Sequence, residues 1–152
     1  MTRRNLLLLL LGFAAVLTVA APDLTYAEED RLAIKGYDPV AYFTEGKPMP
    51  GDPQFRYEFD DAVYQFISAK HLEQFKGDPD RYAPQHHNLC TASLARGEKV
   101  VADPNNWIIY EGRLYLFGKP IGPGKLVADP GMRERADANY ETVVQLPDPV
   151  QQ

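Results

Sequence analysis

The sequence has little cysteine and no concentration of positive charge. Cys90 is the only cysteine in 152 residues, so it cannot form a disulfide within the chain and must be a free thiol, a ligand or half of an intermolecular bridge. The formal net charge is −5, and Lys and Arg form no cluster or stripe. A nucleic acid would be repelled by such a surface, which excludes a nucleic-acid partner. No internal repeat or low-complexity segment is evident.

Residues 1–27 are predicted to be a signal peptide. Arg3 and Arg4 precede an apolar run over residues 6–11, and small residues that suit a signal peptidase precede Ala21 and Glu28. The pattern fits the Sec route or the twin-arginine route, and either one delivers the protein to the periplasm or the medium. The apolar run is too short for a membrane span of about 20 residues, so we expect no membrane anchor after signal cleavage.

Residues 28–146 are predicted to be one domain, followed by a disordered tail over residues 147–152. The apolar pattern favours an α+β fold, a small single domain with short antiparallel β-hairpins and several short helices. The predicted hairpins are residues 54–67 and 107–117, each with a turn of two residues. A short strand is expected at 32–34, a loop at 118–124 and helices at 69–77, 79–82, 91–96 and 131–145. Ser68 is the expected N-cap of the helix at 69–77.

The segment 82–90 contains the residues best suited to chemistry. It holds Cys90 and two of the three histidines, His86 and His87. Cys90 is expected in the first turn of a helix, where backbone N–H groups and the helix dipole lower a cysteine pKa. The third histidine, His71, is expected to be a surface residue without a functional role.

Several blocks of the chain resemble the exported YHS domain-containing proteins, some of which are selenoproteins. The most specific are GYDPVAYF at residues 36–43 and DPDRYAPQ at residues 78–85. The resemblance implies a small α+β module associated with metal binding, and it implies chalcogen chemistry at Cys90. This chain departs from the family at residues 86–89, where HHNL replaces the usual YGGY.

Three functions follow from these residues, and a non-enzymatic role is favoured. The first is binding of a soft or borderline metal, copper or zinc, by Cys90 with His86 and His87, because thiolate and imidazole suit these ions. Its partner would be a metal ion or a metal-handling protein.

The two alternatives leave the histidines without a metal. In one, Cys90 is a reactive thiolate of a redox or sensor protein, which needs an external thiol partner because the chain offers no second cysteine. In the other, the chain is a non-catalytic binding module in which Cys90 is buried and the aromatic residues form a pocket or the core. These aromatic residues are Tyr37, Tyr42, Phe43, Tyr57, Phe59, Tyr64 and Phe66.

Overall fold

The computed structural model describes residues 31–147 and confirms the predicted α+β fold. The predicted signal peptide and residues 148–152 of the predicted tail lie outside the described residues. No helix within residues 31–147 is long and apolar enough to cross a membrane. The helices are α1 Ala41–Thr44, α2 Ala69–Gly77, α3 Pro79–Tyr82, α4 Thr91–Leu94, α5 Gly122–Ala128 and α6 Met132–Val144, and the strands are β1 Asp52–Phe59, β2 Ala62–Phe66, β3 Asp103–Tyr110 and β4 Arg113–Phe117.

The strands form two antiparallel hairpins, β1 with β2 and β3 with β4, as the sequence predicted. Helix α2 also begins where expected, because the Ser68 hydroxyl accepts a hydrogen bond from the His71 N–H at 3.2 Å. Such a cap satisfies one of the N–H groups that the first turn of a helix leaves unpaired. The sequence therefore predicted the positions of both hairpins and of the capped helix α2.

The aromatic residues at alternate positions of the first hairpin build the main core. Tyr64 and Phe66 of β2 are buried against Phe75 of α2, with ring centroids 4.7 and 5.2 Å apart. Tyr42 of α1 is buried in the same cluster, and its hydroxyl donates to the Pro104 carbonyl at 2.9 Å. The seven aromatic residues noted in the sequence all belong to this core or pack against it.

Three local predictions were wrong. Residues 33–36 form a tight turn and not a strand, because Ile34 and Lys35 adopt left-handed backbone conformations with φ values of 51°. The expected loop at 118–124 runs into helix α5, where Pro123 fits the first turn because its φ is already helical. Strand β3 starts at Asp103 and not at Trp107, with a register irregularity between them.

The chain contains a structural repeat that the sequence did not reveal. Every cross-strand pair of the second hairpin lies 51 residues after a pair of the first, for example Asp103↔Phe117 after Asp52↔Phe66. The register irregularity recurs at the same place in both hairpins. We call residues 32–79 the first repeat and residues 84–130 the second repeat.

The repetition extends beyond the hairpins. A parallel bridge joins the start of each repeat to its own hairpin, and an antiparallel bridge follows in each. Each repeat then has a helix of four residues, a glycine with positive φ, the hairpin and a second helix. The matched bridges are Leu32↔Val63 with Pro84↔Leu114, and Tyr37↔Pro50 with Leu89↔Val101.

Candidate functional site

Cys90 lies on the wall of a cavity of about 450 Å³. It is the residue before helix α4, and only 5% of its surface is exposed. Its backbone N–H donates to the Val100 carbonyl at 2.8 Å, which fixes the residue against the neighbouring segment. Three exposed apolar side chains also line the cavity: Val100, Val101 and Ile121. The volume lies within the range of about 300–1,000 Å³ that is typical of small-molecule sites.

Cys90 occupies the position in the second repeat that Asp38 has in the first. The Asp38 N–H donates to the Met49 carbonyl at 2.9 Å, which matches the bond between Cys90 and Val100. In the first repeat the Asp38 carboxylate is fully buried and fills the adjoining space. The thiol of Cys90 is smaller and accepts hydrogen bonds only weakly.

Two glycines occupy the corresponding positions of the second repeat. Gly118 and Gly122 lie 51 residues after Ile67 and His71, the same offset that relates the hairpins. The His71 imidazole bonds to the carboxylate of the first repeat, whereas Gly122 has no side chain. The Ile67 N–H bonds to the same carboxylate, and Gly118 has a backbone N–H at the matching position. A side chain at Gly122 would overlap the Phe117 ring. The Phe117 ring therefore occupies the space next to Gly122, and the cavity lies beside Cys90 in place of the buried contact between Asp38 and His71.

The cavity carries a local excess of positive charge. Arg96 and Glu98 line it and form an ion pair, with Nη2 and Oε2 2.6 Å apart. The hydrogen bond between these two side chains raises the pKa of Arg96 and lowers that of Glu98. Lys119 and Lys125 also line the cavity, and their ammonium groups make no hydrogen bond or ion pair within residues 31–147. Two exposed lysines that have no protein partner among the described residues thus line this space in a chain whose net charge is −5.

The His86 imidazole is buried between helices α4 and α6. Its Nδ1 lies 3.0 Å from the Thr91 hydroxyl oxygen and its Nε2 lies 2.9 Å from a carboxylate oxygen of Asp137. Burial lowers the pKa of His86, and the Asp137 carboxylate opposes that shift only in part. A neutral ring donates from Nε2 to Asp137 and accepts the Thr91 proton at Nδ1. Both nitrogens of His86 therefore have partners within the fold.

The lowered pKa of His86 predicts a stability that falls on acidification. Near and below the ordinary pKa of about 6.5, the unfolded chain takes up a proton before the folded chain does. The free energy of unfolding contributed by His86 is thus fully present above that pH and decreases below it. Urea unfolding of the wild type and His86→Gln from pH 8 to pH 5.5 is expected to give a difference that shrinks as the pH falls. A difference that grows would mean that the protonated ring gains more from Asp137 than it loses by burial.

His87 lies in a different environment from Cys90. Its Nε2 is 3.0 Å from a carboxylate oxygen of Asp60 in the turn between β1 and β2, and its ring centroid is 5.8 Å from that of Tyr140. The residue lines a separate cavity of about 350 Å³ together with Asp60, Tyr64 and Arg113. Its backbone φ is 50°, which is uncommon for a residue with a side chain.

The structure places the three residues of the predicted metal site in different surroundings. Cys90 lines the larger of these two cavities, His87 lines the smaller, and His86 bonds to Thr91 and Asp137. Within residues 31–147, no three His, Cys, Asp or Glu side chains are grouped so that they could hold a metal ion. The metal site made of Cys90, His86 and His87 stays a prediction from the sequence.

The expectation that His71 is a surface residue was wrong. His71 is buried, and its Nδ1 donates to the Asp38 carboxylate at 2.7 Å. The other ring nitrogen lies 3.3 Å from the Thr44 hydroxyl oxygen. The available signal is the position of His71 three residues after the capping Ser68. At this position the His71 side chain points toward Asp38.

Sequence reasoning also missed Lys119 and Lys125. Both fall at the predicted loop or just beyond it, where lysines are ordinarily solvated. Two lysines close together in an acidic chain were the available signal. Comparison with protein-family models, with curated proteins and with solved structures found no match for this chain, so the site is interpreted from its own geometry.

Proposed function

We propose that this chain is an exported, YHS-like binding protein that holds a small molecule in the cavity beside Cys90. The observation that carries the proposal is the cavity, in which a thiol and two unpaired ammonium groups meet apolar side chains. Small-molecule sites are typically concave and largely apolar, with a few polar groups that orient the ligand. The role requires no catalytic group, in line with the non-enzymatic function favoured by the sequence.

Binding is preferred to metal coordination because of where the imidazole nitrogens point. A metal held by Cys90 and either histidine would need one imidazole to leave its partner, which is Asp137 or Thr91 for His86 and Asp60 for His87. Moving His86 would leave the buried Thr91 hydroxyl without its partner, at a cost of about 1–3 kcal/mol. The contact of His87 with Asp60 is solvent-exposed and costs less to break. The metal function would therefore require a rearrangement that the binding function does not.

Thiol chemistry is the second candidate, and one observation favours it. Cys90 forms no disulfide and lies on the wall of an open cavity beside two lysines. A reactive thiol needs access for its partner and benefits from nearby positive charge. This candidate uses the same cavity, so the test of access to Cys90 applies to both.

Filling the cavity is expected to protect Cys90 from alkylation. A Cβ added at Gly118 would lie 3.4 Å from Val100 and 3.8 Å from the Cβ of Cys90, which are ordinary contacts. The side chain of Gly118→Leu would extend from there into the cavity. We expect iodoacetamide to modify Cys90 at least about tenfold more slowly in this variant than in the wild type, because access governs thiol reactivity. Mass spectrometry gives the rate without ambiguity, since the chain has one cysteine.

Gly124→Leu is the matched control. It adds the same side chain to helix α5, but no atom lies within 4 Å of the added Cβ, and Gly124 does not line the cavity. Its alkylation rate should equal that of the wild type. Equal rates in all three proteins, or a wild-type thiol that reacts only after denaturation, would contradict the proposed site.

A metal titration tests metal binding as the alternative to small-molecule binding. Zn(II) and Cu(I) are added to the wild type, Cys90→Ser and His86→Ala/His87→Ala. Binding tighter than micromolar that is lost in both variants would replace the proposed binding function with a metal site.

A further inference from the structure

We propose that the molecule held beside Cys90 is a small aliphatic carboxylate, an inference that rests on the binding function proposed above. The cavity has a cationic part and an apolar part, and both constrain the ligand. Inorganic anions would satisfy only the first part and neutral hydrocarbons only the second. An aliphatic carboxylate satisfies both.

The cationic part is provided by Lys119 and Lys125. Their ammonium groups have no partner within residues 31–147, whereas the third cation of the cavity, Arg96, is neutralised by Glu98. The cavity therefore attracts a negative group, although the chain as a whole is acidic. Hydrogen bonds between ammonium and carboxylate groups are stronger than those between neutral groups.

The apolar part is provided by side chains that the fold leaves accessible. Val100, Val101 and Ile121 are exposed and line the same cavity, and Ile121 has 64% of its surface exposed. Phe117 lines it from the buried side. Contact of this apolar surface with water is unfavourable, and a short hydrocarbon chain bound there would remove that contact.

The first repeat supports a carboxylate over other anions. The matching space there already contains one, the side chain of Asp38, bonded to the Ile67 N–H and the His71 imidazole. In the second repeat Cys90 replaces this aspartate, and Lys119 and Lys125 line the cavity beside it. A ligand carboxylate would restore a negative group in the corresponding place.

The test is protection of Cys90 from iodoacetamide by butanoate, hexanoate and octanoate, with calorimetry as a second measurement. We expect saturable protection with an affinity that rises by up to about fourfold per added CH₂ group. Hexan-1-ol, hexylamine and inorganic phosphate should protect far less at equal concentration. The Lys119→Gln/Lys125→Gln variant should bind hexanoate at least about tenfold more weakly.

Lys47→Gln/Lys70→Gln is the control for net charge, because it removes two exposed lysines that do not line the cavity. It should bind hexanoate as the wild type does. Equal protection by hexan-1-ol, or by phosphate alone, would overturn the carboxylate while leaving the binding function intact. If no compound protects Cys90, the proposal of a carboxylate ligand is also overturned. The alkylation of Gly118→Leu decides separately whether the cavity is a binding site at all.

Discussion

Replacing Asp38 by alanine is expected to lower the free energy of unfolding by about 3–5 kcal/mol. The carboxylate is fully buried and accepts four hydrogen bonds. Its Oδ1 accepts from the N–H groups of Val40 and Ala41 at 2.8 and 3.2 Å. Its Oδ2 accepts from the Ile67 N–H at 2.8 Å and from His71 Nδ1 at 2.7 Å. Alanine would leave all four donors without this acceptor.

This carboxylate connects three parts of the first repeat. It holds the start of helix α1, the residue after strand β2 and the first turn of helix α2 at one point. Urea unfolding followed by circular dichroism measures the effect. Asp80→Ala removes an exposed carboxylate from the first turn of α3 and should cost no more than about 1 kcal/mol. A loss below that value for Asp38→Ala would show that this contact does not organise the fold.

Replacing Phe75 by alanine is expected to cost about 3–5 kcal/mol, the usual range for a large buried side chain. The ring is fully buried on helix α2 and contacts rings from both strands of the first hairpin. The centroids of Tyr64 and Phe66 lie 4.7 and 5.2 Å away, and those of Phe59 and Tyr57 lie 5.9 and 6.3 Å away. The loss combines the removed apolar surface with the cavity left behind.

The second repeat provides a matched pair for the same experiment. Leu126 of helix α5 lies 51 residues after Phe75 and is also fully buried. Leu126→Ala should cost about 2–5 kcal/mol. Val127→Ala alters the next residue, which is 56% exposed, and should change stability by no more than about 0.5 kcal/mol. If Phe75→Ala and Leu126→Ala were as mild as Val127→Ala, the two repeats would not be anchored by these helices.

The elements that could be predicted from the sequence are those set by local patterns. The alternating aromatic residues of β1 and the apolar run of β3, each followed by a turn of two residues, located both hairpins. Ser68 and the Gly77-Asp78-Pro79 segment located both ends of α2. In these cases the spacing along the chain carries the physical signal, either a strand face or a helix end.

The elements that could not be predicted depend on contacts distant in sequence. The turn at Ala33–Gly36 forms where the sequence pattern predicts a strand, and its Ile34 side chain is buried in the main core. Helix α5 forms in a segment rich in glycine and proline because Leu126 packs into the core. The repeat is not evident from the sequence because few residues are identical between the two hairpins. The identical residues are mainly the Asp-Pro pair that starts each hairpin and the Tyr and Phe of its second strand.

The sequence by itself determined the fold class, the hairpins and the fact that Cys90 is the only thiol, because composition and local periodicity are properties of the chain. Only the tertiary structure decided what surrounds that thiol. Lys119 and Lys125 reach the Cys90 cavity through chain reversals in the second repeat, and His86 turns toward Asp137 of helix α6. Neighbours in sequence thus became separated, and distant residues came together, because burial of the apolar faces fixes where each side chain points.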